Sequence, residues 1–358
     1  MKKYILAICI LGTLCSSCEN NQEKIRNVED WTQYVEPRIG TAHCRWFHFT
    51  PGALPFGLAK PAPSTNGSLG NKWGWEATGY DYRENTIEGF PCLHEFQVGG
   101  IVLMPTSGKL VTVPGLPTDS VKTGYRSHFS RENEIATAGY YSVLLDDYQI
   151  QAELTATPRV AFQRFTFPKG TDNHILFNIG NRQGESGAVK DAYVTYTADG
   201  HIEGWVITMP EYVKKYQPGA TVPLYFSAVL DRKPESYGSF HGNTQLADAK
   251  ESKGTGAGMY FTFSNEQQEA VTAKIGLSYT SVENARINLQ TEAEGKTFED
   301  AKEQAHQIWQ EYLGRIEVET SKREDKVKFY TGLYHALLGR GLANDVNGAY
   351  PRNDGSVG

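Results

Sequence analysis

Cysteine is scarce in this chain: there are five among 358 residues, and three of them, Cys9, Cys15 and Cys18, fall in the first eighteen positions. That leaves Cys44 and Cys92, too few for a structural zinc site, which takes four ligands, and too few for a disulfide framework. The two can share one disulfide in an oxidising compartment or stand as unrelated buried thiols. An excess of positive charge is lacking as well. Lys and Arg number 35 against 41 Asp and Glu, for a net charge of -6, and no basic block of the kind that tracks phosphates is present, so nucleic acid is not an expected partner. Beyond the N-terminus no segment approaches the roughly 20 consecutive apolar residues that a transmembrane helix needs.

Aromatic residues and glycine, by contrast, are plentiful: 20 Tyr, 16 Phe, 6 Trp and 36 Gly. That composition describes an ordered, loop-rich globular protein, since disordered chains are poor in aromatics. The length suits two domains at roughly 150 residues each, although one all-β domain can run past 200. The chain opens MKKYILAICILGTLCSSCENNQEK, a Lys pair, a short apolar run and then small residues, which is the pattern of a secretory signal. Ser16 and Ser17 precede Cys18 and a polar tether over 19–29 follows it, similar to a bacterial lipoprotein processing site. On that pattern residues 1–18 are removed or processed, Cys18 carries a lipid and the protein is held at the outer membrane. An ordinary cleaved signal is the alternative, because Cys15 stands where a Leu is usual.

From about 100 to 290 the hydrophobic period is two, in short segments punctuated by Gly, Pro, Asn and Asp. In QIQAELTAT, Ile150, Ala152, Leu154 and Ala156 fall on one face and Gln151, Glu153 and Thr155 on the other. Many such strands with no helical pattern between them predict a mainly β fold, a large antiparallel β-sandwich over 30–290. The period then changes. TFEDAKEQAHQIWQEYL carries Thr297 and Asp300 in capping-box spacing ahead of a stripe of Phe298, Ala301, Ala305, Ile308, Trp309 and Tyr312, and REDKVKFYTGLYHALL repeats the spacing. Two amphipathic helices are therefore expected, a helical linker over 291–322 and the first elements of an all-helical domain over 323–358.

Three stretches stand out from this background: YVEPRIGTAHCRWFHFTPGALPFG (34–57), GYDYRENTIEGFPCLHEFQVGG (79–100) and FYTGLYHALLGRGLANDVNGAYPRNDG (329–355). In order and spacing, from Tyr34 to Gly355, they resemble glycoside hydrolase family 92, exported bacterial exo-acting α-mannosidases. The resemblance implies a β-sandwich joined by a helical linker to an (α/α)6 barrel, of which only the opening lies in this chain. It also implies hydrolysis of terminal mannose on glycans by an inverting, calcium-assisted mechanism. The family's acid, base and calcium ligands lie beyond residue 358, so no catalytic carboxylate and no metal ligand is assigned, and the 358 residues alone are expected to be inactive. Three departures mark the chain. Cys92 and His94 occupy the positions of a histidine pair, Leu54 alone separates PGA from PFG, and LAKPAP follows PFG where the family is apolar.

The substrate-facing residues then come from WGWEATGYDY at 73–82. Trp75 and Trp73 offer flat apolar faces to a pyranose, and Glu76 can accept a sugar hydroxyl; packing at the sandwich edge is the alternative for both rings. His94 lines the pocket or is a hydrogen-bonded structural histidine. Asp345 and Asp354 order the mouth of the barrel, Asp354 near the substrate, or serve as turn residues. His43 and His48, five apart, lack a third ligand and are not read as a metal site. An alternative to the enzyme is a non-catalytic carbohydrate-binding β-sandwich lipoprotein.

Overall fold

The computed structural model describes residues 29–42, 49–65, 79–95, 98–116, 122–181, 188–210, 215–264, 266, 268–339 and 341–358. Cys18, His43, Cys44, His48, Trp73, Trp75 and Glu76 lie outside the described residues. The architecture below is that of the unit Trp31–Gly358.

Alternation of apolar and polar side chains builds two main antiparallel sheets. The larger runs in the spatial order Glu251–Lys253 (β15), Ala188–Tyr196 (β10), Ile202–Met209 (β11), Val222–Leu230 (β12), Ala270–Ser278 (β17), Val160–Thr166 (β8), Ile150–Ala156 (β7), Tyr140–Leu145 (β6) and Glu134–Thr137 (β5). The smaller runs Thr244–Ala247 (β14), Ser236–His241 (β13), Ala257–Ser264 (β16), Asp172–Asn178 (β9), Val98–Ser107 (β3) and Phe90–Glu95 (β2). Thr86–Ile87 (β1) and Ser127–His128 (β4) form a separate ribbon. The two large sheets share one core, in which Phe177 of β9 stacks on Phe226 of β12 with centroids 6.3 Å apart. This is the antiparallel sandwich that the period-two pattern predicts.

β7 buries Ile150, Ala152, Leu154 and Ala156 as its alternation requires. Its opposite face is less open to water than the pattern suggests. Glu153 is paired with Arg164 of β8 at 2.7 Å, and Thr155 is fully buried with its hydroxyl donating to the Gly139 carbonyl.

The cover on that face is helical, and among the described residues three α-helices rather than two follow the strands: Val282–Ala293 (α1), Phe298–Leu313 (α2), which packs on β7, and Arg323–Leu338 (α3). α1 lies on β17 and β12 and is capped by Ser281, whose hydroxyl accepts the Asn284 N–H at 3.0 Å. Its buried face consists of Ala285, Asn288, Leu289 and Ala293, too little large apolar surface to register as a helical stripe. α2 has the expected capping box, with Thr297 and Asp300 bonded in both directions, and buries Phe298, Ala301, Ala305, Trp309 and Leu313. α3 buries Tyr330, Thr331, Tyr334 and Leu338. The aromatic stripes of α2 and α3 meet Trp31, Tyr34 and Val35 in a second core separate from that of the sandwich. Among the described residues no helix is long and apolar enough to cross a membrane.

Candidate functional site

The three motif stretches are far apart in sequence and converge in space. Motif one begins against α3: the Tyr34 ring stacks on Tyr330 at 5.7 Å, and the Glu36 N–H donates to the Thr331 hydroxyl at 3.0 Å. Farther along, the Trp309 indole N–H of α2 donates to the Ala53 carbonyl at 2.7 Å. The glycine of PGA is required by close approach, since a Cβ on Gly52 would lie 2.3 Å from the Leu154 carbonyl oxygen. Phe56 adopts a left-handed φ of 55° and is held there from both sides, its N–H donating to the Leu337 carbonyl and its carbonyl accepting the Leu342 N–H, each at 2.8 Å.

Motif two joins the same place. The Tyr82 N–H donates to the Thr41 carbonyl at 3.3 Å, and Phe49 stacks on His94 at 5.1 Å while packing with Ala62 and Tyr80. The Thr65 N–H donates to the Gly79 carbonyl at 2.7 Å. Lys60 links motif two to motif three. It is 1% exposed, its N–H donates to the Cys92 carbonyl at 2.9 Å, and its ammonium donates to the Gly339 carbonyl just past α3 at 2.6 Å.

His94 lies inside this junction, 1% exposed. Neither ring nitrogen makes a hydrogen bond of good geometry among the described residues, the Lys60 main chain being the polar group beside the ring, and the Thr50 hydroxyl is likewise buried and unpartnered. Burial, reinforced by the Lys60 charge and partly offset by the Lys60 main chain, lowers the His94 pKa to about 3, so the imidazole is neutral at physiological pH. A neutral imidazole can give one hydrogen bond and accept another. Cys92, two residues earlier on β2, is a free buried thiol that receives the Gln163 amide at 3.2 Å. Burial pushes its pKa well up, so it stays a thiol and is an inert packing residue rather than a nucleophile.

The carboxylates around the junction are engaged. Asp81 is fully buried and paired with Arg83 at 2.5 Å, Glu88 is paired with Arg126, and Glu134 accepts the Tyr80 and Tyr141 hydroxyls at 2.7 and 2.8 Å while pairing with Arg131. Burial, with the Glu134 charge, raises the pKa of both tyrosines and keeps their hydroxyls protonated. Among the described residues no group of three or more His, Cys, Asp or Glu side chains is placed to hold a metal ion.

Asp345 is 2% exposed. Its carboxylate accepts from Ser278 at 3.0 Å, Thr280 at 2.5 Å and Asn288 at 2.7 Å, and its carbonyl accepts the Gly348 N–H, closing a turn. It orders the loop after α3 by both of the means that its position allows. Asp354 is exposed in a terminal hairpin, where Ser356 donates to its carboxylate from N–H and hydroxyl at 2.9 and 2.7 Å. Those bonds hold its carboxyl below the usual range. Lys60, Arg131 and Glu134 drew no notice in the sequence, because a single charged residue between apolar or turn residues carries no periodic signal. The departure LAKPAP was the one available pointer to Lys60. Two clefts of about 370 and 280 Å³ lie beside α1 and α2, and no motif residue lines either.

The loops of the sandwich thus meet α3 and the segment that follows it. Comparison with known families assigns the chain. Residues 34–278 match the glycosyl hydrolase family 92 N-terminal domain, and residues 284–358 match the family 92 catalytic domain. The chain belongs to glycosyl hydrolase family 92. Its fold is similar to that of a family GH92 α-mannosidase from Bacteroides thetaiotaomicron, with a TM-score of 0.82 and 26% identity over 92% of this chain and 44% of that one. The same enzyme has been solved with mannoimidazole, at the same TM-score and identity. The chain is also 25% identical over 339 residues to an uncharacterized secreted glycosidase of Arthroderma benhamiae, covering 86% of this chain and 41% of that protein. It thus spans less than half the length of these relatives.

Proposed function

We propose that this chain is the sugar-contacting N-terminal part of an exo-acting α-mannosidase that removes terminal mannose from glycans. The observation that carries the reading is the meeting of the three motif stretches at a junction that holds a buried, neutral His94. Two adjacent sugar hydroxyls would satisfy such a ring, one accepting and one donating. The α-mannosidase similarity supports the choice of sugar. Trp75 and Trp73 stack on the sugar, Glu76 receives a hydroxyl, and Asp354 lies toward the mouth of the site. The acid and base of an inverting hydrolysis, whose carboxyls stand roughly 6.5 to 9.5 Å apart with a water between, belong to the rest of the catalytic domain, as do the ligands of the calcium that the family resemblance implies. The engagement of Asp81, Glu88 and Glu134 in ion pairs agrees with that division. We assign the barrel opening to residues 323–358 and the linker to 291–322.

The test is Trp75→Ala in a chain extended through the complete catalytic domain. Loss of one stacked aromatic face, on the order of 1 to 3 kcal/mol, lowers kcat/KM on a mannobiose roughly tenfold to more than a hundredfold with the melting temperature unchanged. A large fall in melting temperature with normal kinetics would remove Trp75 from the site.

Export follows from the signal pattern and agrees with the secreted relative. We further propose a lipid on Cys18 that holds the protein at the outer membrane. Wild type then partitions into the detergent phase and Cys18→Ala does not; equal partitioning of the two rules the anchor out.

A further inference from the structure

Arg131 opens a 3-10 turn, Arg131–Asn133, ahead of β5, and the turn Asp81–Glu84 is built around its guanidinium. One terminal nitrogen donates to the Glu134 carboxylate at 3.0 and 3.2 Å and to the Tyr80 hydroxyl at 2.5 Å. The other donates to the carbonyls of Tyr82 at 2.5 Å and Glu84 at 2.6 Å, with Asp81 at 3.4 Å. The rings of Tyr82 and Phe129 lie against the guanidinium at 4.5 and 4.6 Å. Glu134, 5% exposed, completes the arrangement by accepting the Tyr80 and Tyr141 hydroxyls.

Asp81 and Glu84 at the ends of the turn are 0% and 3% exposed and need partners for their carbonyls, which the turn gives, with that of Tyr82, to a single partly buried cation, while Tyr82 itself remains 43% exposed. The result is a large aromatic ring fixed in place on its inner face and open to a ligand. Fixing a ring beforehand removes an ordering cost that would otherwise oppose binding. Tyr82 also bonds the first motif through Thr41, so the ring stands where two of the motif stretches meet.

We infer that Tyr82 is a further sugar-contacting residue, stacking on a pyranose of the glycan, and that Arg131 is its positioning residue. This rests on the mannosidase reading. In the extended, active chain, Tyr82→Ala raises KM for a mannobiose roughly three- to tenfold, the loss of one aromatic contact, with little change in melting temperature. Tyr82→Phe keeps KM near wild type. Arg131→Lys, which retains charge and loses the fork, raises KM by a similar factor with kcat little altered, and millimolar guanidinium lowers the KM of Arg131→Ala toward wild type. A purely structural Arg131 would lower the melting temperature and leave the KM of the folded fraction alone. If wild type is active and KM is unchanged in both Tyr82→Ala and Arg131→Lys, the inference is overturned and the function stands. If the extended wild type releases no mannose, the functional reading fails and takes this inference with it.

Discussion

His94 combines near-complete burial with two ring nitrogens that make no hydrogen bond of good geometry among the described residues, and leaving a buried polar group unsatisfied costs about 1 to 3 kcal/mol. The same burial makes it a reporter. Its pKa is about 3 in the fold against an ordinary value of 6.5, so between those values the unfolded chain takes up a proton that the folded chain refuses. Its contribution is complete above about pH 6.5 and is lost progressively as pH falls toward 3. The midpoint of urea unfolding should therefore fall between pH 7 and pH 4.5 by more in wild type than in His94→Gln, and parallel profiles would show that His94 is not held neutral. At this scale the sequence was partly readable. The motif pointed to His94, but its neutrality comes from burial and from the charge of Lys60, which is remote from it in sequence. The clamp of Arg131 on Asp81–Glu84 spans about fifty positions, and no local pattern announces it.

Elements whose stripes contain large apolar residues were readable, and those whose stripes do not were missed. α2 announces itself by a capping box and Trp309, α3 by tyrosines and leucines at helical spacing. α1 buries two alanines, an asparagine and a leucine and passes as part of the strand region. The asparagine has a purpose visible only in three dimensions, since Asn288 donates to Asp345 and accepts the Val346 N–H at 2.9 Å. The segment after α3 is laid along the sandwich by a series of such bonds, from Lys60 at Gly339, through Phe56 at Leu342 and Arg159 at Asn344, to Asp345. Gly341 touches motif one directly: a Cβ there would lie 2.1 Å from the Gly57 carbonyl oxygen. Gly341→Ala should therefore destabilise by about 1 to 3 kcal/mol in denaturant unfolding. Gly332→Ala, within α3 and facing open space, should stabilise by roughly 0.5 to 1 kcal/mol through helix propensity. Equal effects would mean that the strap is not pressed against the sandwich.

Across the whole molecule, the switch from period two to period 3.6 gave the sandwich and the helices that follow, and the three motif stretches gave the family. How those stretches meet was not legible, because the meeting depends on Lys60 crossing to Gly339 and on Phe56 bridging α3 and the strap. On the proposed function, the two parts of a family 92 enzyme divide the labour: the sandwich and the segment after α3 contact the sugar, and the groups that break the bond lie in the remainder of the catalytic domain. The direct measurement is mannose release from linkage-defined mannobioses, by this 358-residue chain and by one extended through the complete catalytic domain. The account predicts release by the extended chain and none by the shorter one, because a site without acid and base lacks most of the rate enhancement. Turnover by the 358 residues that a single substitution within them abolishes, or an extended chain inert on every mannoside, would contradict it.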